Sequence, residues 1–274
     1  MKNRIYFTLI TLCLLIPGAF AQTDFNVESI TVINLGDGRL LHRTVSDNLP
    51  IQGELRIIDG RRSEYKLVEF TNGLYDGKYK HFKHNSLTEE GAYKEGRKHG
   101  EFTEYFSDGT TPKARKSYKE GKSDGMWITY YTNGEVEKEK GYKEGKEHGV
   151  ERSYDYETGE LVTEMNFKDG KKDGPQKKRM FSNWGTFTVT SNFVDGKQEG
   201  AHSEIYETGE KKKEENYKNG KLEGEAKEYY VQPKGQLKSV YNYTNGRKNG
   251  KFVEYKDDGT IREEGVYENG TKKQ

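Results

Sequence analysis

Cysteine is nearly missing from this chain: Cys13 is the single thiol among 274 residues. One thiol cannot form an intrachain disulfide, so no such crosslink helps to hold the fold. Charge of one sign is missing too, since 46 Lys and Arg stand against 45 Asp and Glu. That balance favours neither nucleic acid nor an anionic membrane as partner, because both call for a basic excess on one face. Long apolar runs are confined to the first residues, and nothing later approaches the length of a membrane-spanning helix. Helix itself is disfavoured over most of the chain. A Gly, often behind Asn or Asp, recurs about every ten residues and leaves no helical window of useful length.

The one apolar run has a definite layout. Lys2 and Arg4 precede Ile5 to Ile16, and Ala19-Phe20-Ala21 offers a small-x-small cleavage site before Gln22. That is the pattern of a secretory signal peptide, so residues 1–21 are expected to be removed and the mature chain exported, periplasmic, outer-surface or extracellular. Cys13 lies inside the run behind Leu12, where a lipoprotein signal would place a small residue. Without Lys2 and Arg4 the balance becomes 44 basic against 45 acidic residues. Charged residues at 33% and hydrophobic residues at 31% would by themselves lean toward disorder. The 20 Tyr and 12 Phe argue against it, because they recur at fixed places.

Those places belong to a repeat. A Gly-x-x-x-Gly signature, three residues after a Tyr or Phe, begins at Gly73, Gly96, Gly121, Gly145, Gly170, Gly196, Gly220 and Gly246. A period in the twenties means stacked supersecondary units. Each unit carries two turn signals, one at the signature (Glu120-Gly121, Asp169-Gly170, Asn245-Gly246) and one half a period on (Asp108-Gly109, Asn133-Gly134, Thr158-Gly159, Thr208-Gly209, Asp258-Gly259). Two turns per period leave room for two strands, so each unit reads as a β-hairpin. The expected fold is all-β: an elongated single-layer antiparallel sheet, a solenoid of about eight tandem hairpins over 70–274. An N-terminal β cap with one degenerate repeat covers 22–69. At two strands per unit the array should extend about 10 Å per repeat.

Within the second strand, Val136 shares parity with Tyr142, and Ile261 with Tyr267, which predicts one common face for each set. Nine residues past the leading Gly stands a second aromatic, Tyr105, Tyr130, Tyr154, Tyr229 and Tyr255 among them. These are expected to stack between neighbouring hairpins as a ladder. The fifth unit departs most: Arg179 fills that aromatic slot, and Trp184-Gly185 replaces the usual turn. The irregular stretch from Pro175 to Gly185 reads either as a binding element or as a tolerated insertion.

The aromatic-x-x-Gly-x-x-x-Gly-x-x-x-x-Tyr-x-x-x-Gly pattern, best carried by Tyr93 to Gly109, Tyr118 to Gly134, Tyr142 to Gly159, Tyr217 to Gly235 and Tyr243 to Gly259, resembles MORN repeats. The variant is the one in bacterial proteins often labelled YwqK-type antitoxins, and the resemblance covers residues 70–270. It implies a hairpin array that serves as scaffold or binding surface and has no catalysis of its own.

Other chemistry finds little footing. His99 and His148 share a slot that holds Asp124, Asp173, Glu199, Glu223 or Asn249 in other units, which reads as an exposed polar turn position and not a metal ligand. Paired carboxylates such as Glu89-Glu90 point to opposite sides of a strand and cannot converge as a glycosidase pair does. The Gly-x-x-x-Gly units lack the Gly-Lys-Ser/Thr ending of a phosphate loop. No cofactor, metal or catalytic residue is expected, and the chain reads as a non-enzyme. The expected function is an exported protein-binding scaffold. The alternatives are an antitoxin or immunity-type protein and a glycan-binding module at the cell envelope. Trp127, Arg179 and Trp184 are the candidate partner-binding residues.

Overall fold

A computed structural model describes residues 23–274, so the expected signal peptide and Cys13 lie outside the described residues. The chain forms one 22-stranded sheet that does not close into a barrel, beside a separate two-stranded hairpin. Its first strand, Thr23–Asn26, runs parallel to Gly53–Asp59. From there every pairing is antiparallel and joins neighbours in sequence, or strands on either side of one two-residue strand (Lys197–Gln198, Lys221–Leu222), through Leu74–Lys83 and Ser86–Lys94 to Ile261–Glu268 and Thr271–Lys272. The result is the expected ribbon of hairpins.

The two turns of each unit differ physically. At the signature, both central residues are left-handed: Glu120 has φ 50° and Gly121 φ 81°, and the pairs at 72–73, 95–96, 144–145, 169–170, 195–196, 219–220, 245–246 and 269–270 have φ 49–52° and 78–88°. This two-residue turn has the twist of the strands it joins. The turn at Asn133-Gly134, which the sequence suggests to be of the same tight kind, is a longer loop in which Gly134 alone is left-handed. Directly after it the register shifts by one residue, so Tyr130 faces Val136 and Thr129 faces Lys138. That bulge recurs at the corresponding loops and breaks the parity read from sequence: Val136 and Tyr142 lie on opposite faces.

A Glu in a left-handed turn position is poorly placed, whereas Asn tolerates it. Replacing Glu95, Glu120 and Glu144 together with Asn should therefore raise stability by about 0.5–1 kcal/mol per site. A urea-unfolding midpoint that fell instead would refute this account of the turns.

Each turn is tied to the unit before it. The Gly121 N–H donates to the Lys98 carbonyl at 2.8 Å, Gly145 to Ser123 at 2.8 Å and Gly170 to Glu147 at 2.9 Å. The residue before the second signature Gly completes the tie in most units. Asp124 accepts from the Glu144 N–H at 3.0 Å, Glu199 from Asn219 at 2.7 Å and Glu223 from Asn245 at 2.9 Å. So the slot shared by His99 and His148 is more than a polar turn position: where it holds Asp, Glu or Asn, it is the acceptor for the next turn. The signature is thus a hinge and a clasp at once.

The two faces are built differently. One carries a row of closing aromatics and their cross-strand neighbours: ring centroids are 5.4 Å apart for Tyr93 and Phe102, 5.5 Å for Phe102 and Tyr118, and 4.7 Å for Trp127 and Tyr142. Lysines lie over these rings, Lys98 at 4.2 Å from Phe102 and Lys116 at 5.3 Å from Trp127, and each pairs with a glutamate at 2.5 Å. The aromatic layer is therefore lidded by charge. The tyrosines expected to form the ladder lie on the other face, because they sit an odd number of residues from it along the strand. Tyr105, Tyr154 and Tyr229 do not stack; their hydroxyls donate to Glu90, Glu139 and Glu214 on the adjacent strand.

The core sits at the N-terminal end, where a second layer exists. Ile51, Leu55, Ile57, Val68, Phe70, Tyr79 and Phe102 form one buried cluster. The hairpin Ile30–Asn34/Leu40–Thr44 folds onto it: the His42 N–H donates to the Gly73 carbonyl at 2.7 Å, and the His42 ring stacks on Tyr75 at 4.7 Å. Strands Gly53–Asp59 and Glu64–Thr71 continue into the array without a break.

Candidate functional site

With one face of the aromatic row sealed, the rings left open to solvent stand at the long-loop edge. Strands Lys171–Met180 and Phe187–Val194 pair without the bulge seen elsewhere, and residues 181–186 form the loop between them. The Ser182 hydroxyl donates to the Gly185 carbonyl at 2.7 Å and accepts from the Trp184 N–H at 3.3 Å. This self-bonded turn holds Trp184 outward at 56% exposure, beside Phe181 at 61%. Neighbouring loops add Tyr156 at 51%, which meets Tyr131 edge-on at 4.9 Å. Tyr131, Tyr154, Tyr156, Val162 and Phe181 line one open depression.

Arg179 anchors this edge across three units. Its Nε donates to Glu207 at 2.7 Å, an Nη1 hydrogen bond reaches Glu160, and its guanidinium lies 5.4 Å from the Phe181 ring. Tyr105, Tyr154 and Tyr229 in this slot each reach one glutamate; the arginine fork reaches two. The structure thus brings Arg179 and Trp184 to the same edge. It leaves Trp127 apart, in the packed row, where the indole N–H donates to the Ser117 carbonyl at 3.1 Å.

Tyr131, Tyr156 and Phe181 escaped the sequence reading. Their signal was there: an aromatic ends or follows the first strand of six consecutive units, as Phe106, Tyr131, Tyr156, Phe181, Tyr206 and Tyr230. It was masked by the stronger tyrosine period beside it.

The middle of the sealed face breaks from aromatic to polar. Glu151, 5% exposed, takes the place of Phe102 and Trp127 in its unit. Burial pulls its carboxyl up, but Lys138 at 2.7 Å and Lys140 at 3.3 Å prevail and hold it below the usual carboxylate range. Farther on, Ser191 Oγ lies 2.8 Å from His202 Nδ1, and His202 Nε2 lies 3.7 Å from Glu204. His202 holds Glu204 down to about 2 against the opposing effect of burial, with Lys212 assisting. No sequence pattern announces this Ser–His–carboxylate contact, since it joins neighbouring strands through their register. These side chains lie on paired strands of the open sheet. Among the described residues no three His, Asp, Glu or Cys side chains group as metal ligands.

No protein-family model matches the chain, and no curated protein matches it. Among solved structures, a mutant of S. aureus TarM in complex with Fondaparinux, alpha-GlcNAc-glycerol and UDP is similar at 14% identity. The similarity covers 44% of this chain and 21% of that one, at a TM-score of 0.23, and carries no argument about fold or activity.

Proposed function

We propose that this protein is an exported, non-enzymatic repeat scaffold that binds a protein partner at the long-loop edge. The observation that carries the reading is the exposure of Phe181, Trp184 and Tyr156 on a ribbon whose other aromatic row is covered by Lys–Glu pairs. Rigid exposed aromatics beside a fixed arginine are the residue types that anchor protein interfaces. An antitoxin or immunity role would be one case of such binding. A glycan reading rests on the same rings, since flat aromatic faces also stack on sugars.

The test is capture from envelope extract by the mature chain and by its Phe181→Ser/Trp184→Ser variant. The expected result is a saturable protein partner whose affinity falls at least about tenfold in the variant, while circular dichroism is unchanged. Retention of the partner by the variant would remove this edge from the proposal. Capture that survives protease treatment of the extract but is lost on periodate oxidation would establish the glycan reading instead.

A further inference from the structure

The near-zero net charge hides a separation. All signature turns lie at one edge of the ribbon and all long loops at the other, because successive strands run antiparallel. Between residues 94 and 260, the seven turns 94–97, 119–122, 143–146, 168–171, 194–197, 218–221 and 244–247 hold twelve Lys or Arg and five Asp or Glu. The seven loops 106–111, 131–135, 155–160, 181–186, 207–210, 230–236 and 256–260 hold nine Asp or Glu and two Lys. One edge is basic, the other acidic, and the two excesses match.

Little of this charge is spent internally. Arg97 pairs with Asp37 of the cap, Lys171 lies 3.9 Å from Asp195, and Arg179 engages Glu160 and Glu207. Among the described residues no other Lys or Arg of these turns pairs with a carboxylate. Both edges also repeat at the same interval, two strands or about 10 Å, since each unit contributes one turn and one loop.

We propose that copies of this protein associate side by side, the basic turn edge of one copy against the acidic loop edge of the next. Charge complementarity along a common period makes a second copy the fitting occupant. The contact joins two different edges, so it is heterologous and does not close on itself: each added copy offers a fresh basic edge and a fresh acidic one. Lateral growth follows, and salt should dissolve it, because exposed charges carry the contact.

Sedimentation velocity tests this directly. At about 20 mM NaCl the screening length is about 20 Å, and the sedimentation coefficient should rise with concentration; at about 300 mM, with roughly 6 Å, the rise should vanish. Two charge reversals on the loop edge (Glu157→Lys/Asp257→Lys) or on the turn edge (Lys119→Glu/Lys218→Glu) cut that edge's excess from seven to three and should weaken association at least about tenfold. Neither set touches an ion pair within the chain. Mixing the two variants should restore association, at least in pairs, since the unaltered turn edge of the first then meets the unaltered loop edge of the second. A coefficient independent of concentration at low salt would overturn the proposal. So would association that both reversals leave intact. A monomer whose turn edge instead retains it on heparin would replace the second copy with a polyanion.

Discussion

Phe102→Ala is expected to destabilise the N-terminal half of the ribbon by about 3–5 kcal/mol. The ring is 1% exposed and meets Tyr79, Tyr93 and Tyr118, with Lys98 above it. Its removal opens a hole where the cap's core joins the single-layer array. The surrounding strands cannot close that hole, because their spacing is fixed by backbone hydrogen bonds. Gly91, directly beneath, is the other half of the arrangement: a Cβ there would lie 2.6–2.7 Å from three atoms of the Phe102 ring. Gly91→Val should therefore destabilise by displacing the ring. In the presence of Phe102→Ala its methyl groups would enter the vacated space. The double mutant should be more stable than the sum of the single effects by about 1–3 kcal/mol. Urea unfolding of the four proteins supplies the cycle, and amide exchange over residues 87–119 locates the loss. A Phe102→Ala cost below about 1 kcal/mol would mean that the aromatic row contributes packing without stability.

Why the hairpins were legible and their faces were not has a physical cause. A left-handed backbone pair leaves a residue signature, so Glu120-Gly121 and Asn245-Gly246 announce their turns whatever surrounds them. Strand number and order follow from such turns alone. Face assignment needs parity carried across a whole strand, and a single extra residue inverts it. Lys138 follows Val136 by two places, yet their partners Thr129 and Tyr130 are adjacent. The bulge at Glu137 has no residue type of its own, so the sequence gives no warning that Val136 and Tyr142 part company. The second signature Gly misleads in the same way, since Gly125 at φ 102° interrupts its strand between Ser123 and Trp127. These two irregularities moved the ladder from Tyr130 to Trp127.

The candidate edge was legible only as a disturbance. Arg179 and Trp184 stand out because they violate the period, and the structure explains the violation: a hairpin without its bulge, and an arginine bridging Glu160 and Glu207. Tyr156 and Phe181 obey a period of their own and drew no notice. Regular residues become visible as a surface only when the strands that carry them are placed side by side.

Deleting residues 122–145 should leave a folded ribbon one unit shorter, whereas deleting 134–145 should not leave a folded array. The first deletion joins Gly121 to Lys146 and keeps the direction of every strand. Lys116, which faces Trp127, would then face Glu151, the residue that occupies the equivalent place one unit later. An aromatic contact is thereby exchanged for an ion pair with a carboxylate already suited to lysine neighbours. The clasp survives as well: Gly121 still donates to the Lys98 carbonyl, and Gly170 still donates to Glu147. Stability is a sum over units and their interfaces, so losing one unit lowers it without abolishing it. The second deletion joins Lys122–Tyr130 to Lys146–Tyr154 through three residues, although both strands run from the turn edge to the loop edge. Parallel neighbours need a crossover of a dozen or more residues, and none remains. For the first protein far-UV circular dichroism per residue should match the parent and urea unfolding should stay cooperative at a lower midpoint, and both should collapse for the second. Equal behaviour of the two, in either direction, would mean that the hairpin is not the unit in which this chain folds.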